Sequence, residues 1–225
     1  MREKEYYQRK LLEIQKEKPF ANSTELAYTL ILNDILSGTL QPGEKIPQDG
    51  LADLFTMSRT PIRDALYKLE QDGFLERSKK AGYQVHKVSF KEFFEFCDYR
   101  ALCEAHAAYL AANNMTKKEL QELETVQETF NTFCDKDMVK EALETDECFH
   151  ELIVKGSHNR YLYEAFERYR PLKKFFFTLN VETQSNLQRI KNKHGQIFNA
   201  IQKNDEEAAE KAMYNHLKNV YNFYT

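Results

Sequence analysis

Apolar positions along this chain fall into two regimes. Up to about residue 88, short helical stripes are punctuated by Gly, Pro and Asp; beyond it, long stretches of helical periodicity run with few breakers. The sharpest stripe is Ile62, Ala65, Leu66 and Leu69, which predicts a helix over Ser58 to Asp72 with one buried face. Ser58 suits its N-cap, because a hydroxyl there can accept a bond from a free first-turn amide. Pro61 falls in the first turn, where a missing N–H costs nothing. Arg59, Thr60, Arg63 and Tyr67 occupy a neighbouring face, clear of the stripe. Leu51 to Phe55 forms a short amphipathic helix just upstream, and Thr56 and Met57 leave only a tight connection. Downstream, Gly73 can end the helix in a left-handed conformation. Phe74-Leu75 and Tyr83-Gln84-Val85 are predicted to pair as strands around a turn from Lys79 to Gly82. The pattern is a helix-turn-helix followed by a wing. Two arginines near the start of its second helix suit a major groove, and the basic tip at Lys79 and Lys80, beside Gly82, suits a phosphate or a minor groove.

The second regime reads as helices throughout. Ser89 and Glu92 form a capping box opening a helix to about Asn113, and Thr116 and Glu119 repeat that signature for a helix ending near Phe133. A third spans roughly Lys136 to Lys155, stopped by Gly156. The fourth begins at Asn159 and meets Pro171, which should kink it. A fifth covers about Thr183 to Lys203, and a last one, capped by Asn204 to Glu207, runs nearly to Thr225. The predicted fold is mainly α: a winged helix-turn-helix domain over 25–88, then an antiparallel bundle of six or seven helices over 89–225. Residues 1–24 form a charged N-terminal extension of alternating sign, ended by Pro19. It is expected to be a solvated helix packed outside the domain, or partly disordered.

Composition narrows the class. The net charge is −3, from 32 Lys and Arg against 35 Asp and Glu, so this is not a generally basic polyanion binder. Residues 25–88 hold 8 Lys or Arg and 9 Asp or Glu. Positive charge there is therefore local, at Arg59, Arg63, Arg77, Lys79, Lys80 and Lys87, which favours site-specific docking. The start, Met1-Arg2-Glu3-Lys4-Glu5, has no apolar signal core, and the longest apolar runs are too short to cross a bilayer. The 4 cysteines lack Cys-x-x-Cys spacing. A cytoplasmic location with reduced thiols is expected.

Four polar residues sit on apolar stripes of the bundle. Leu143, Asp146, His150 and Ile153 share a stripe, with Asp146 and His150 one turn apart. His194 lies between Ile190 and Ile197, and His216 between Met213 and Val220, both on inward faces. Burying the four unpaired would cost several kcal/mol, so each needs a core hydrogen bond or a shared divalent metal, for which imidazole and carboxylate are natural ligands. Zinc leads, with nickel, iron and manganese also suited. His86, His106 and His158 read as structural or solvated, and Cys148 as a core thiol turned away from Asp146 and His150.

Residues 25–88 closely resemble the winged-helix domain of GntR-type bacterial transcription regulators. The match rests on Leu36-Ser37-Gly38, on Leu40 through Pro47, on Ser58-Arg59-Thr60-Pro61-Ile62-Arg63 and on Leu69 through Gly73, in the family's order and spacing. Residues 90–224 resemble the all-helical effector domain of the FadR-like branch, of FCD type. The marks there are Arg100 through Ala105, Asp146 through His150, His194 through Ile197, and Asp205 to Leu217. The resemblance implies that Asp146, His150, His194 and His216 bind a divalent metal whose coordination a small carboxylate effector completes. It also implies that Arg100 faces the effector cavity; the residues alone equally allow a salt bridge from Arg100 to Glu104. The expected function is a homodimeric regulator of double-stranded operator DNA, with Ser58, Arg59, Thr60, Arg63, Lys79, Lys80 and Gly82 at the DNA. The rival readings are a metal-dependent enzyme of the helical bundle and a metal-free dimeric regulator.

Overall fold

A computed structural model describes residues 2–78, 82–178 and 184–218. Among them lie ten helices and three short strands, in two compact units: Met1–Val88 with Pro171–Leu179, and Ser89–Arg170 with Asn180–Thr225. Among the described residues no helix is long and apolar enough to cross a membrane.

The first unit opens with α1 (Arg2–Glu17) and α2 (Ser23–Leu36), followed by β1 (Lys45–Ile46), α3 (Gln48–Phe55), α4 (Arg59–Gln71), β2 (Leu75–Arg77) and β3 (Tyr83–Val85). The sheet order is β1-β3-β2, all antiparallel, with Leu75 opposite Val85 and Ile46 opposite Tyr83. The two residues of β1 escape sequence reading because a run so short has no period. In α4, Ile62, Ala65, Leu66 and Leu69 are all fully buried, each Leu or Ile contributing roughly 1.5–3 kcal/mol by leaving water. Ser58 occupies the N-cap with extended backbone, but its hydroxyl makes no cap bond, unlike the expectation. Gly73, at φ +84, turns the chain from α4 into β2.

The charged N-terminal extension is neither disordered nor merely laid on the surface. Tyr7, Leu11 and Ile14 of α1 recur at helical spacing and are buried. The Nζ of Lys10 lies 2.9 Å from Oδ1 of the buried Asp34. Gln8 donates to the Phe55 carbonyl at 3.0 Å and to the Thr56 hydroxyl at 2.9 Å. Thr56 is the left-handed residue, φ 55, at the turn between α3 and α4. A helix dominated by charges thus braces that turn with the two hydrogen bonds of Gln8 and the packing of Tyr7 on Phe55, ring centroids 5.3 Å apart.

The second unit comprises α5 (Phe90–Asn114), α6 (Lys117–Asp135), α7 (Val139–Gly156), α8 (Arg160–Thr178) as far as Arg170, α9 (Gln184–Gln202) and α10 (Glu206–Lys218). Both expected capping boxes form, at Ser89/Glu92 and Thr116/Glu119. Gly156 is the last residue of α7 and does not cut it short. α8 continues through Pro171, and the chain passes to the first unit at that residue. There Phe175 meets Phe74 edge to face, ring centroids 5.8 Å apart; Phe176 is also buried, and the Phe177 side chain lies outside the described set. The main core of the second unit gathers Ala101, Ala105, Ala108 and Ala111 of α5 around Phe149, Ile153, Ile197, Ile201, Met213 and Leu217. Small side chains along α5 let α7, α9 and α10 approach it closely, the packing on which the polar cluster depends.

Candidate functional site

In the first unit, the N-cap Ser58 and, on α4, Arg59, Thr60, Arg63 and Tyr67 are exposed, on a face beside the buried stripe. The Nε of Arg59 is 3.1 Å from Oδ1 of Asp49 on α3, both well exposed. Arg63 lies 3.4 Å from its neighbour Asp64. Arg77 donates through Nε to Glu70 at 2.9 Å, which pushes its pKa up. Gly82 is in the left-handed region at φ +96. Lys79 and Lys80 lie outside the described residues. Arg59 and Arg63, one turn apart on an exposed helical face, have the spacing of side chains that enter one groove.

In the second unit, α7 carries Asp146 and His150, α9 carries His194 and α10 carries His216. One ligand atom from each lies within 4.8 Å of all the others. The Nε2 atoms of His150 and His216 are 3.1 Å apart. Oδ1 of Asp146 is 3.3 Å from Nε2 of His194 and 3.7 Å from Nε2 of His150. His194 is fully buried, stacked on Phe149 at 4.1 Å between ring centroids, with Phe130 at 4.7 Å. Burial, and then the neighbouring imidazoles of His194 and His150, push His216 well below the usual histidine range. The neutral imidazole is the form that donates a lone pair to a metal.

Behind His150 lies a second buried layer. Glu104 is 0% exposed and Arg100 3%. Oε1 of Glu104 accepts from Arg100 Nε at 2.8 Å and from the Tyr169 hydroxyl at 2.7 Å. Oε2 is 2.6 Å from His150 Nδ1, though off the ideal hydrogen-bonding direction. Burial opposes the charge of Arg100, but Glu104 and then Tyr169 outweigh it and hold the guanidinium above its usual pKa. Burial, then Glu104, pushes the Tyr169 hydroxyl up strongly.

The four expected ligand residues converge, and Arg100 takes the buried pairing with Glu104 that its spacing allowed. Two flanking expectations fail. Leu143 is 37% exposed, because the inward stripe of α7 shifts to Ala142, Phe149 and Ile153. Cys148 is exposed rather than a core thiol, since the side of α7 away from the cluster faces solvent. The remaining histidines pair locally: His86 with Glu76 at 3.2 Å, His158 with Glu119 at 2.9 Å, and His106 lies 3.9 Å from Glu210. Sequence reading missed Glu104 as a partner of His150, and missed Tyr169 altogether. The available signal was an acid on the same stripe as Ala101, Ala105 and Ala108, where a carboxylate needs a buried partner.

A winged helix-turn-helix unit in the same chain as an all-helical unit is the make-up of a DNA-binding transcriptional regulator. The family model for the FCD domain matches residues 95–219, and that for bacterial regulatory proteins of the gntR family matches residues 24–85. The uncharacterized HTH-type transcriptional regulator YdhC of Bacillus subtilis (strain 168) is 32% identical over 193 residues, covering 84% of this chain and 86% of its own. The HTH-type transcriptional repressor RspR of Escherichia coli (strain K12) is 24% identical over 193 residues, covering 86% and 85%. Among solved structures, E. coli McbR/YncC has a TM-score of 0.69 at 21% identity, over 92% of this chain and 100% of that one. A transcriptional regulator GntR from Rhodococcus sp. RHA1 also gives 0.69, at 14% identity, over 89% and 96%; these two likenesses show the fold. The chain belongs to the GntR family of bacterial transcriptional regulators and carries an FCD domain. The relatives named here are transcriptional regulators.

Proposed function

We propose that this regulator holds a divalent metal through Asp146, His150, His194 and His216, and that a small organic acid bound there changes its affinity for operator DNA. The observation that carries the reading is the convergence of three imidazole nitrogens and a carboxylate oxygen within 4.8 Å. The donor set fits the group: neutral imidazole with carboxylate suits zinc first, and nickel, iron or manganese as well. When bound, such an ion supplies a Lewis-acidic centre for a carboxylate oxygen. Arg100 offers a buried guanidinium as a second contact for an acid. At the DNA, the exposed face of α4 with Ser58, Arg59, Thr60 and Arg63 enters a major groove, while the wing with Lys79, Lys80 and Gly82 meets the backbone. Two copies bind a pseudo-palindromic site, one half-site each, and such a partner implies a cytoplasmic location. An effector that favours one arrangement of the winged units over another shifts operator affinity by linkage.

The test is elemental analysis of protein purified without chelator, alongside His194→Ala. The expected result is a divalent metal in stoichiometric amount that the variant loses; equal metal content in both proteins overturns the site. Operator titrations of the loaded protein with and without a panel of small carboxylic acids test the effector. Unchanged affinity across the panel overturns that part.

A further inference from the structure

We propose that Glu104 is the positioning residue of this centre: its Oε2 accepts from the Nδ1–H of His150, so that the ring presents Nε2 to Asp146, His194 and His216. The inference rests on the metal reading above and assigns a role to residues outside the ligand set.

Glu104 is fully buried yet keeps no solvent contact for its charge. Its two oxygens are divided between two tasks. Oε1 is held by Arg100 Nε at 2.8 Å and by the Tyr169 hydroxyl at 2.7 Å. Oε2 lies 2.6 Å from His150 Nδ1, a short contact whose angle is bent away from the hydrogen-bonding direction and which a small rotation of the ring would align. An i, i+4 ion pair serving stability alone has no need of a tyrosine from α8, nor of an imidazole from α7 on its second oxygen. A neutral histidine with Nδ1–H directed at a carboxylate has its lone pair on Nε2. The Nε2 so fixed is the atom 3.1 Å from His216 Nε2 and 3.7 Å from Asp146. Arg100 neutralises the buried carboxylate, and Tyr169 fixes its rotation. The three residues form a rigid backing that sets the tautomer and the aim of one ligand.

The experiment is zinc titration of full-length, metal-stripped protein against a competing chelator. It compares wild type, Glu104→Gln, Tyr169→Phe and the ligand variant His194→Ala. Glutamine keeps the shape but not the charge, and the expected loss of zinc affinity is about 10- to 100-fold with stoichiometry unchanged. Tyr169→Phe should lose less, in the same direction. If wild type binds zinc and Glu104→Gln binds it equally well, the role of Glu104 is overturned while the metal site stands. If wild type binds no zinc, the underlying reading fails instead. Because Glu104→Gln strands the Arg100 charge, the charge-neutral Arg100→Gln/Glu104→Gln pair replaces it should the single variant not fold. An independent readout needs no variant: nitrogen NMR of histidine-labelled, zinc-loaded wild type. His150 should carry its proton on Nδ1, and a proton on Nε2 overturns the proposal.

Discussion

His150 and His216 stand 66 residues apart in sequence, and their Nε2 atoms lie 3.1 Å from each other. Two imidazole nitrogens that close repel unless a proton or a cation sits between them. A proton on one ring satisfies the pair as a hydrogen bond; on the metal reading a divalent cation takes its place in the folded chain, and zinc should then stabilise the native state. At about a thousandfold excess over Kd the gain is roughly 4 kcal/mol, or about 10 °C in Tm for a protein of this size. The rise should disappear in His216→Ala. Calorimetry with and without zinc measures it, and an equal rise in both proteins counts against the site.

Arg63 is exposed on the face of α4 that flanks the buried stripe of Ile62 and Leu66, so its removal should not disturb the fold. Arg63→Ala is expected to weaken operator binding by about 1–3 kcal/mol with an unchanged circular dichroism spectrum. Fluorescence anisotropy with a labelled duplex gives the value, and undiminished affinity removes Arg63 from the interface.

Asp49 places a negative charge 3.1 Å from Arg59 on the face assigned to DNA. The pair is exposed, so its own stability is small. Asp49→Ala should strengthen binding to duplexes of any sequence by about 2- to 5-fold at low salt, with a slightly steeper salt dependence. Weaker binding would instead make Asp49 the residue that aims Arg59.

Glu119 caps α6. The Thr116 backbone amide, donating at 2.7 Å, is the main cause that holds its pKa at about 2, below the ordinary 4.5, with His158 adding to the shift. Because the folded value is the lower one, the stabilisation is present above about pH 4.5 and is lost as pH falls toward about 2. Glu119→Gln should therefore be less stable than wild type at neutral pH, with the gap closing in acid. Urea melts from about pH 7 to about pH 3 follow it, and a gap that widens in acid contradicts the assignment.

Much of the architecture was legible because it follows from periodicity. The stripe through Ile62, Leu66 and Leu69 announces a buried helix face whatever the rest of the chain does. Asp146, His150, His194 and His216 stood out because polar groups on inward stripes demand a partner. What escaped has equally physical reasons. In α1 three apolar side chains are diluted by charges at most other positions, so Tyr7, Leu11 and Ile14 carry little weight in a composition-driven reading. The contact between Glu104 and His150 joins α5 to α7, and no local pattern encodes which inward acid meets which inward base. Leu143 misled because a stripe edge looks the same in sequence whether a neighbour covers it or not.

Asp34 is buried, and its carboxylate meets Lys10 and Tyr7 of α1. The tyrosine hydroxyl is pushed up to about 12 by burial and then by that carboxylate. The gntR family match begins only at residue 24. A fragment trimmed to that match would retain Arg59 and Arg63, yet take away the α1 side chains that meet the buried Asp34 and leave the Thr56 corner without its brace. The packing of the winged unit thus extends beyond its homology footprint, and truncations meant to isolate that unit should begin at the first helix.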